Sequence, residues 1–106
     1  MNEENLTSSV TVRISNVEWQ TLNDVCKDMD LLLGYFNSVI PFYSSMLVNL
    51  PNNKINNVIN FLGDLLVKIG FNEEYKLNKK GQIIESVIEK FTNTFIKNPS
   101  TKTFEK

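Results

Sequence analysis

The stretch from Asn53 to Leu66, NKINNVINFLGDLL, has the clearest helical pattern in the chain. Its apolar residues recur three and four positions apart, as they do on one side of an amphipathic α-helix. These residues are Ile55, Val58, Ile59, Leu62, Leu65 and Leu66. The opposite side carries Asn53, Asn56, Asn57, Asn60 and Asp64. The pattern predicts a helix from about Lys54 that buries one side and exposes a stripe of asparagines.

A short strand and a capped helix are predicted near the N-terminus. Residues 10–15 alternate apolar and polar side chains and are rich in β-branched residues, which is typical of a strand. The segment from Ser15 to Glu18 has the spacing of a capping box. The helix that follows should carry Trp19, Leu22, Val25, Cys26 and Met29 on one face. A break is expected between Asp30 and Gly34.

The segment from Leu33 to Leu50 is predicted to be the next helix. One side of it would carry Phe36, Ile40, Tyr43, Leu47 and Leu50. Pro41 interrupts this helix, and a proline inside a helix costs about 3 kcal/mol. We therefore expect a kink, or a new start with Pro41 in the first turn.

A hairpin and a last helix are predicted after the asparagine-bearing helix. Residues 68–71 and 75–77 flank the turn-like segment 72–74, as the two strands of a small hairpin would. Asn78 can cap a helix. That helix would carry Ile84, Val87, Ile88, Phe91 and Phe95 on one face, and Asn98-Pro99-Ser100 would end it.

The composition predicts one folded domain at residues 10–98, with flexible segments at 1–9 and 99–106. The chain has 106 residues, 42% of them hydrophobic and 22% charged. Its apolar runs are shorter than the roughly 18 residues of a membrane span. The N-terminus does not resemble a secretory signal, and the lone Cys26 suits a reducing compartment. A cytoplasmic protein is expected, with dimerisation as a natural way to enlarge a small core.

The same core residues are expected under each fold considered below. They are Trp19, Leu22, Phe36, Tyr43, Ile55, Val58, Ile59, Leu62, Leu65, Ile84, Val87, Ile88 and Phe91.

The residue types argue against an enzyme. The chain has no histidine, the commonest general base and metal ligand, and one cysteine cannot form a zinc cluster. The acidic pairs Asp28/Asp30 and Glu73/Glu74 fall in expected helix ends or turns, where acids are normally solvated. The four glycines are too scattered to form a phosphate-binding loop. We expect no catalytic residues, metal, cofactor or small-molecule ligand.

Charge is distributed unevenly along the chain. Residues 1–51 contain two basic and six acidic residues, whereas residues 52–106 contain nine lysines and six acids. An anionic partner is therefore expected to meet the C-terminal half.

The stretch from Asp64 to Glu85 resembles the wing region of bacterial winged helix-turn-helix regulators. In those proteins a recognition helix ends with leucine, three residues, glycine and an apolar residue. A hairpin follows, and then tyrosine-x-leucine-threonine-x-x-glycine. Leu66 followed by Gly70-Phe71 matches the first phrase, and residues 75–81, YKLNKKG, match the second with Asn78 in place of threonine. The resemblance covers roughly residues 55 to 92.

This resemblance implies the element order strand, helix, helix, helix, hairpin, helix, and binding to double-stranded DNA. The helix from Lys54 to Leu66 would be the recognition helix, because asparagine can contact adenine N6 and N7 in the major groove. The implied groove-facing residues are Asn53, Lys54, Asn56, Asn57 and Asn60. Phosphates, or a narrow AT-rich minor groove, would meet Lys68, Lys76, Lys79, Lys80 and the helix start at Asn78. Asparagines and lysines at exposed positions are equally typical of ordinary solvated surface.

Residues 10–46 also resemble a ribbon-helix-helix module, in which strands pair across a dimer axis and outward side chains read bases. The outward residues here would be Thr11, Arg13 and Ser15. This half of the chain is net acidic and its second helix contains Pro41, so we rank this resemblance below the winged one.

The function expected from the sequence is that of a non-enzymatic homodimer that binds AT-rich double-stranded DNA. Small plasmid-encoded or mobile-element proteins of this class act as relaxosome accessory proteins, partition-site adaptors or repressors. The alternative is an all-α four-helix bundle that binds a protein, as bacteriocin-immunity and anti-repressor proteins do. A bundle requires helix or loop, and no strand, at residues 10–15 and 67–78.

Overall fold

The computed structural model, which describes residues 8–97, is a three-stranded antiparallel sheet with helices packed on one face. The strands are β1 Ser9–Ser15, β2 Ser38–Phe42 and β3 Ser45–Pro51. The helices are α1 Asn16–Val25, α2 Met29–Leu33, α3 Ile55–Ile69 and α4 Lys79–Lys97, and a 3-10 turn, Asn52–Lys54, precedes α3. The fold is therefore mixed, with more helix than strand, in agreement with the mainly α protein with a small β-sheet that the order of predicted elements implies. The segments expected to be flexible lie outside the described residues apart from Ser8 and Ser9, and Ser9 begins β1.

The strand and capped helix predicted near the N-terminus are confirmed. Ser15 Oγ accepts the backbone N–H of Glu18 at 3.1 Å, and Glu18 Oε1 accepts that of Ser15 at 2.9 Å. These two bonds satisfy backbone donors at the start of α1. The predicted break falls earlier than expected, because α1 ends at Val25 and Met29–Leu33 forms a separate short helix.

The helix predicted between Leu33 and Leu50 is wrong, because most of this segment is a hairpin. Strands β2 and β3 pair from Ser38↔Asn49 to Phe42↔Ser45, and β3 also pairs with β1, which gives the sheet order β1-β3-β2. Pro41 lies in an edge strand, where a missing N–H is tolerated. Tyr43, predicted to be buried, is 88% exposed at the turn.

The side chains of β3 explain this error. Its apolar residues fit a helical period only loosely, whereas Val48 and Leu50 alternate with half-buried neighbours. They pair with Val12 and Val10 of β1 and are fully buried. Pairing with a strand nearly forty positions away therefore outweighed the local pattern.

The core lies between the inner face of the sheet and α1, α3 and α4. Of the residues predicted for it, Leu22, Ile55, Val58, Leu62, Ile84, Val87 and Phe91 are buried. Trp19, Phe36, Ile59, Leu65 and Ile88 are partly buried against them. The sequence did not predict the core positions Val12, Ile14, Leu32 and Val48.

The prediction of a hairpin at residues 67–78 is also wrong, because its two strands do not form. α3 continues to Ile69, and the following loop is closed by a single bridge between Phe71 and Leu77. The final helix is confirmed, with Asn78 Oδ1 accepting the backbone N–H of Gly81 at 2.7 Å as a cap. The hairpin therefore precedes α3 instead of following it, and three strands among the described residues exclude an all-α bundle.

A buried carboxylate ties α4 to the start of α1. Glu18 Oε1 lies 2.5 Å from Lys90 Nζ, and Glu18 Oε2 accepts the hydroxyl of Ser86 at 2.6 Å. Burial alone would raise the pKa of Glu18, but the bonds from Lys90, Ser86 and the Ser15 backbone together lower it.

Glu18→Gln should therefore make stability less dependent on pH. The folded-state pKa lies below the ordinary value of 4.5, so the carboxylate stabilises the fold above that value and this contribution is lost as the pH falls through the folded-state pKa. At pH 7 we expect the free energy of unfolding of the variant to be about 1–3 kcal/mol lower than that of the parent protein. Urea denaturation from pH 7 to pH 3 measures both effects. Glu85→Gln, an exposed site on α4, is the control, and an equal pH response in both variants would contradict the assignment.

Leu62→Ala should cost about 2–5 kcal/mol of unfolding free energy, because Leu62 is fully buried at the centre of α3. Val67→Ala is the matched control, since Val67 lies on the same helix and is 74% exposed, and it should cost less than about 0.5 kcal/mol. Thermal melts of the two variants against the parent measure the difference. Equal melting temperatures would mean that α3 does not pack as described.

Candidate nucleic-acid interface

The asparagine stripe predicted on the third helix lies on the exposed side of α3. Asn56, Asn57 and Asn60 are exposed, and Asn53 is exposed in the turn just before the helix. Ile55, Val58 and Leu62 on the opposite side are fully buried, which fixes the rotation of the helix about its axis. The amide groups therefore point away from the core.

The four predicted lysines gather at the connection between α3 and α4. Lys68 lies in the last turn of α3, Lys76 in the loop, and Lys79 and Lys80 in the first turn of α4. All four are exposed. Glu73 and Glu74 lie in the same loop, so the connection has two more positive than negative charges.

Close backbone contact holds the two helices together at this connection. A Cβ atom on Gly81 would overlap the carbonyl oxygen of Gly70, so α3 and α4 approach more closely here than a side chain would allow. Asn78 fixes the same junction, because its amide nitrogen donates to the carbonyl of Ile69 at 2.9 Å while its amide oxygen caps α4. The predicted DNA contact at Asn78 thus falls on a half-buried side chain whose amide is engaged within the protein.

Asn72 forms hydrogen bonds with the backbone of the loop between α3 and α4. Its Oδ1 atom accepts the backbone N–H groups of Glu74 at 2.8 Å and Lys76 at 3.0 Å. Asn72 N also donates to the carbonyl of Lys76 at 2.8 Å.

Tyr75 adopts a φ of 63°, a left-handed conformation that favours glycine, and its ring is 87% exposed.

The predicted contacts at Thr11 and Arg13 lie on a different surface. Inward-facing residues of β1, such as Val12, meet the helices, so Thr11 and Arg13 point from the outer face of the sheet. There the guanidinium of Arg13 lies 5.0 Å from the ring centroid of Phe42. The asparagines therefore lie in or just before the N-terminal half of α3, and the four lysines lie from its last turn to the first turn of α4. Thr11 and Arg13 lie on the sheet instead.

A cavity of about 490 Å³ adjoins the C-terminal half of α3. It is lined by the apolar residues Val25, Leu31, Phe61, Leu65 and Ile69, by Cys26, and by the charged residues Lys27, Asp28, Asp64 and Lys68. Lys27 and Lys68 both line this cavity, although they are 41 positions apart in the sequence. No sequence pattern linked these two lysines, because helix packing alone brings them together.

The thiol of Cys26 is part of the cavity wall and has a packing role. Burial raises its pKa, and so does the charge of Asp28, so the thiol is protonated at neutral pH.

Residues 8–97 contain neither a metal-binding cluster nor a membrane-spanning helix. No three side chains of the metal-binding types are placed to share an ion. No helix in this part of the chain has the length and apolar character needed to cross a membrane.

Comparisons of the chain with protein-family models, curated proteins and solved structures returned no match.

Tyr75→Gly should raise the unfolding free energy by up to about 1 kcal/mol. Glycine adopts a positive φ without steric cost, and the exposed ring makes little packing contribution. Glu74→Gly in the same loop is the control and should lower stability by about 0.5–1 kcal/mol through greater freedom of the unfolded chain. Urea denaturation compares the two. An equal loss of stability in both variants would show that Tyr75 is not strained.

Proposed function

We propose that the chain is a non-enzymatic protein that binds double-stranded DNA through the exposed side of α3 and the α3–α4 connection. The observation that carries this proposal is the exposure of a set of amides and lysines along α3 and into the α3–α4 connection. The set comprises Asn56, Asn57 and Asn60, then Lys68 in the last turn of α3, and then the lysines of the connection. We call this surface the amide–lysine surface.

The amides supply the proposed contacts to bases. The major groove of B-DNA is about 12 Å wide and admits an α-helix. An asparagine side chain can donate to adenine N7 and accept from adenine N6, which favours AT-rich sequence. In this arrangement α3 takes the part of the recognition helix of a winged helix-turn-helix protein, and the loop at 70–78 takes the part of its wing.

The lysines supply the proposed contacts to phosphates. Lys79 and Lys80 occupy the first turn of α4, where the helix dipole disfavours positive charge. The first turn contains no acid that would offset this. Bound phosphate would relieve the unfavourable interaction, so these positions suit an anionic partner better than they suit helix stability. For a small protein of this kind we propose a role in repression, partition or transfer of plasmid DNA.

Salt dependence tests the electrostatic part of the proposal. Four lysine–phosphate contacts should give a log–log slope of affinity against salt of about −3.6, or roughly a hundredfold loss between 50 and 200 mM. Fluorescence anisotropy with AT-rich and GC-rich duplexes measures the slope and the base preference. A flat salt response would contradict the proposal.

Matched substitutions test the surface itself. Lys79→Gln should weaken binding several-fold, whereas Asn93→Asp near the other end of α4 makes the same change in net charge and should have a much smaller effect. Asn57→Ala should reduce the preference for AT-rich DNA, and Asn93→Ala should not. Asp64→Asn should strengthen binding, because it removes an acid from the middle of the amide–lysine surface. Equal effects at Lys79 and Asn93 would remove the support for this surface.

A second candidate function is binding to a protein, and the outer face of the sheet favours it. Ile40 is 54% exposed and shares the outer face of the sheet with Arg13 and Phe42, whose side chains contact each other. The outward-facing strand residues include one cation and no acid, so they suit a protein surface that presents apolar groups beside a carboxylate. Phe42→Ala would impair such binding and leave DNA binding intact, whereas Lys79→Gln would do the reverse.

A further inference from the structure

The edge of the sheet at β1 leaves backbone hydrogen-bonding groups open. In an antiparallel sheet, alternate residues direct both their N–H and C=O groups to the same neighbouring strand. Asn16 N donates to the carbonyl of Ser44 at 3.0 Å, so the even-numbered residues of β1 face β3. Ser9, Thr11 and Arg13 consequently turn their backbone groups outward. No backbone partner for these groups lies within residues 8–97.

The opposite edge of the sheet is closed to strand addition by Pro41. The same alternation turns Val39 and Pro41 of β2 outward, and proline has no N–H to donate. At the β1 edge the N–H of Ser15 is already bonded to the Glu18 carboxylate. The outward backbone groups that are free to pair therefore belong to residues 9–13. A further strand can be added to the sheet at the β1 edge only.

The side chains that could guard the β1 edge are engaged elsewhere. Charged side chains commonly protect exposed edges. Arg13, the one charged residue of β1, reaches across β3 to the ring of Phe42 in β2. Thr11 Oγ1 accepts the amide of Asn49 in β3 at 3.1 Å. Both side chains are directed into their own sheet, so neither covers the outer backbone of β1.

We propose that β1 pairs antiparallel with β1 of a second copy of this chain, centred on Thr11, to form a six-stranded sheet. Thr11 is the midpoint of the open run at 9–13. With this centre, Thr11 pairs with Thr11 of the partner subunit, and Ser9 pairs with Arg13 of the partner subunit. Ser9, Thr11 and Arg13 of each strand then all form backbone hydrogen bonds to the other strand.

The residues of β1 fit their own copy in this register. The two arginines oppose serines and not each other, so no like charges face across the pair. On the inner face Val10, which is half-buried, meets Val12 of the partner subunit and extends the core. Because each copy has one open edge, the pairing closes at a dimer instead of continuing into a filament.

The first test is sedimentation of Thr11→Lys. Two lysines opposite each other at the centre should raise the dimer dissociation constant about tenfold or more. Ser38→Lys, at the Pro41-blocked edge, is the control and should leave it unchanged. Circular dichroism checks that both variants fold. A parent protein that is monomeric up to about 1 mM, or equal effects of the two substitutions, would overturn the proposal.

The second test is disulfide crosslinking in a Cys26→Ser background. Thr11→Cys should crosslink to itself, since only the central residue meets its own copy. Arg13→Cys should not crosslink alone but should do so when mixed with Ser9→Cys. Efficient self-crosslinking of Arg13→Cys without that of Thr11→Cys would overturn the register. Neither test involves DNA, so the dimer can fail independently of the proposed function.

Discussion

The carboxylate of Glu18 connects the beginning of the described chain to its last helix. It accepts the N–H of Ser15 within the capping box and also binds Ser86 and Lys90, which lie 68 and 72 positions further along. A buried charge is tolerated only when such bonds replace its hydration. The same side chain therefore starts α1 and holds α4 against it, and the position of α4 determines where the α3–α4 connection can lie.

The α3–α4 connection depends on how closely the two helices approach. Contact between Gly70 and Gly81 and the doubly bonded amide of Asn78 fix the end of α3 against the start of α4. Since the apolar side of α3 is buried in the core, its amide side must face outward along the helix that leads to the lysines. The amide–lysine surface on which the proposed function rests is a consequence of this packing.

Within residues 8–97 the sheet has helices on one face only, which leaves an outer face and two unlike edges. Pro41 closes the β2 edge, while Arg13 and Thr11 bond within their own sheet and leave the outer backbone of β1 uncovered by their side chains. The outer face and the β1 edge lie apart from the amide–lysine surface. The proposed self-association through β1 and the proposed DNA binding therefore use different parts of the molecule.

The sequence by itself determined the features that depend on near neighbours. The capping box at Ser15–Glu18, the two-sided pattern of α3 and the Asn78 cap of α4 each involve contacts within a few positions, so they could be predicted. Exposure of the α3 asparagines followed from the same periodicity. Tertiary structure alone decided that residues 38–51 form a hairpin, because burial of Val48 against β1 outweighs a loose helical period. It also decided that Lys27 and Lys68 line the same cavity, and that Thr11 and Arg13 lie on the outer face of the sheet. These outcomes depend on strand pairing and packing between residues far apart in the sequence. The free energy of such contacts cannot be inferred from a local sequence pattern.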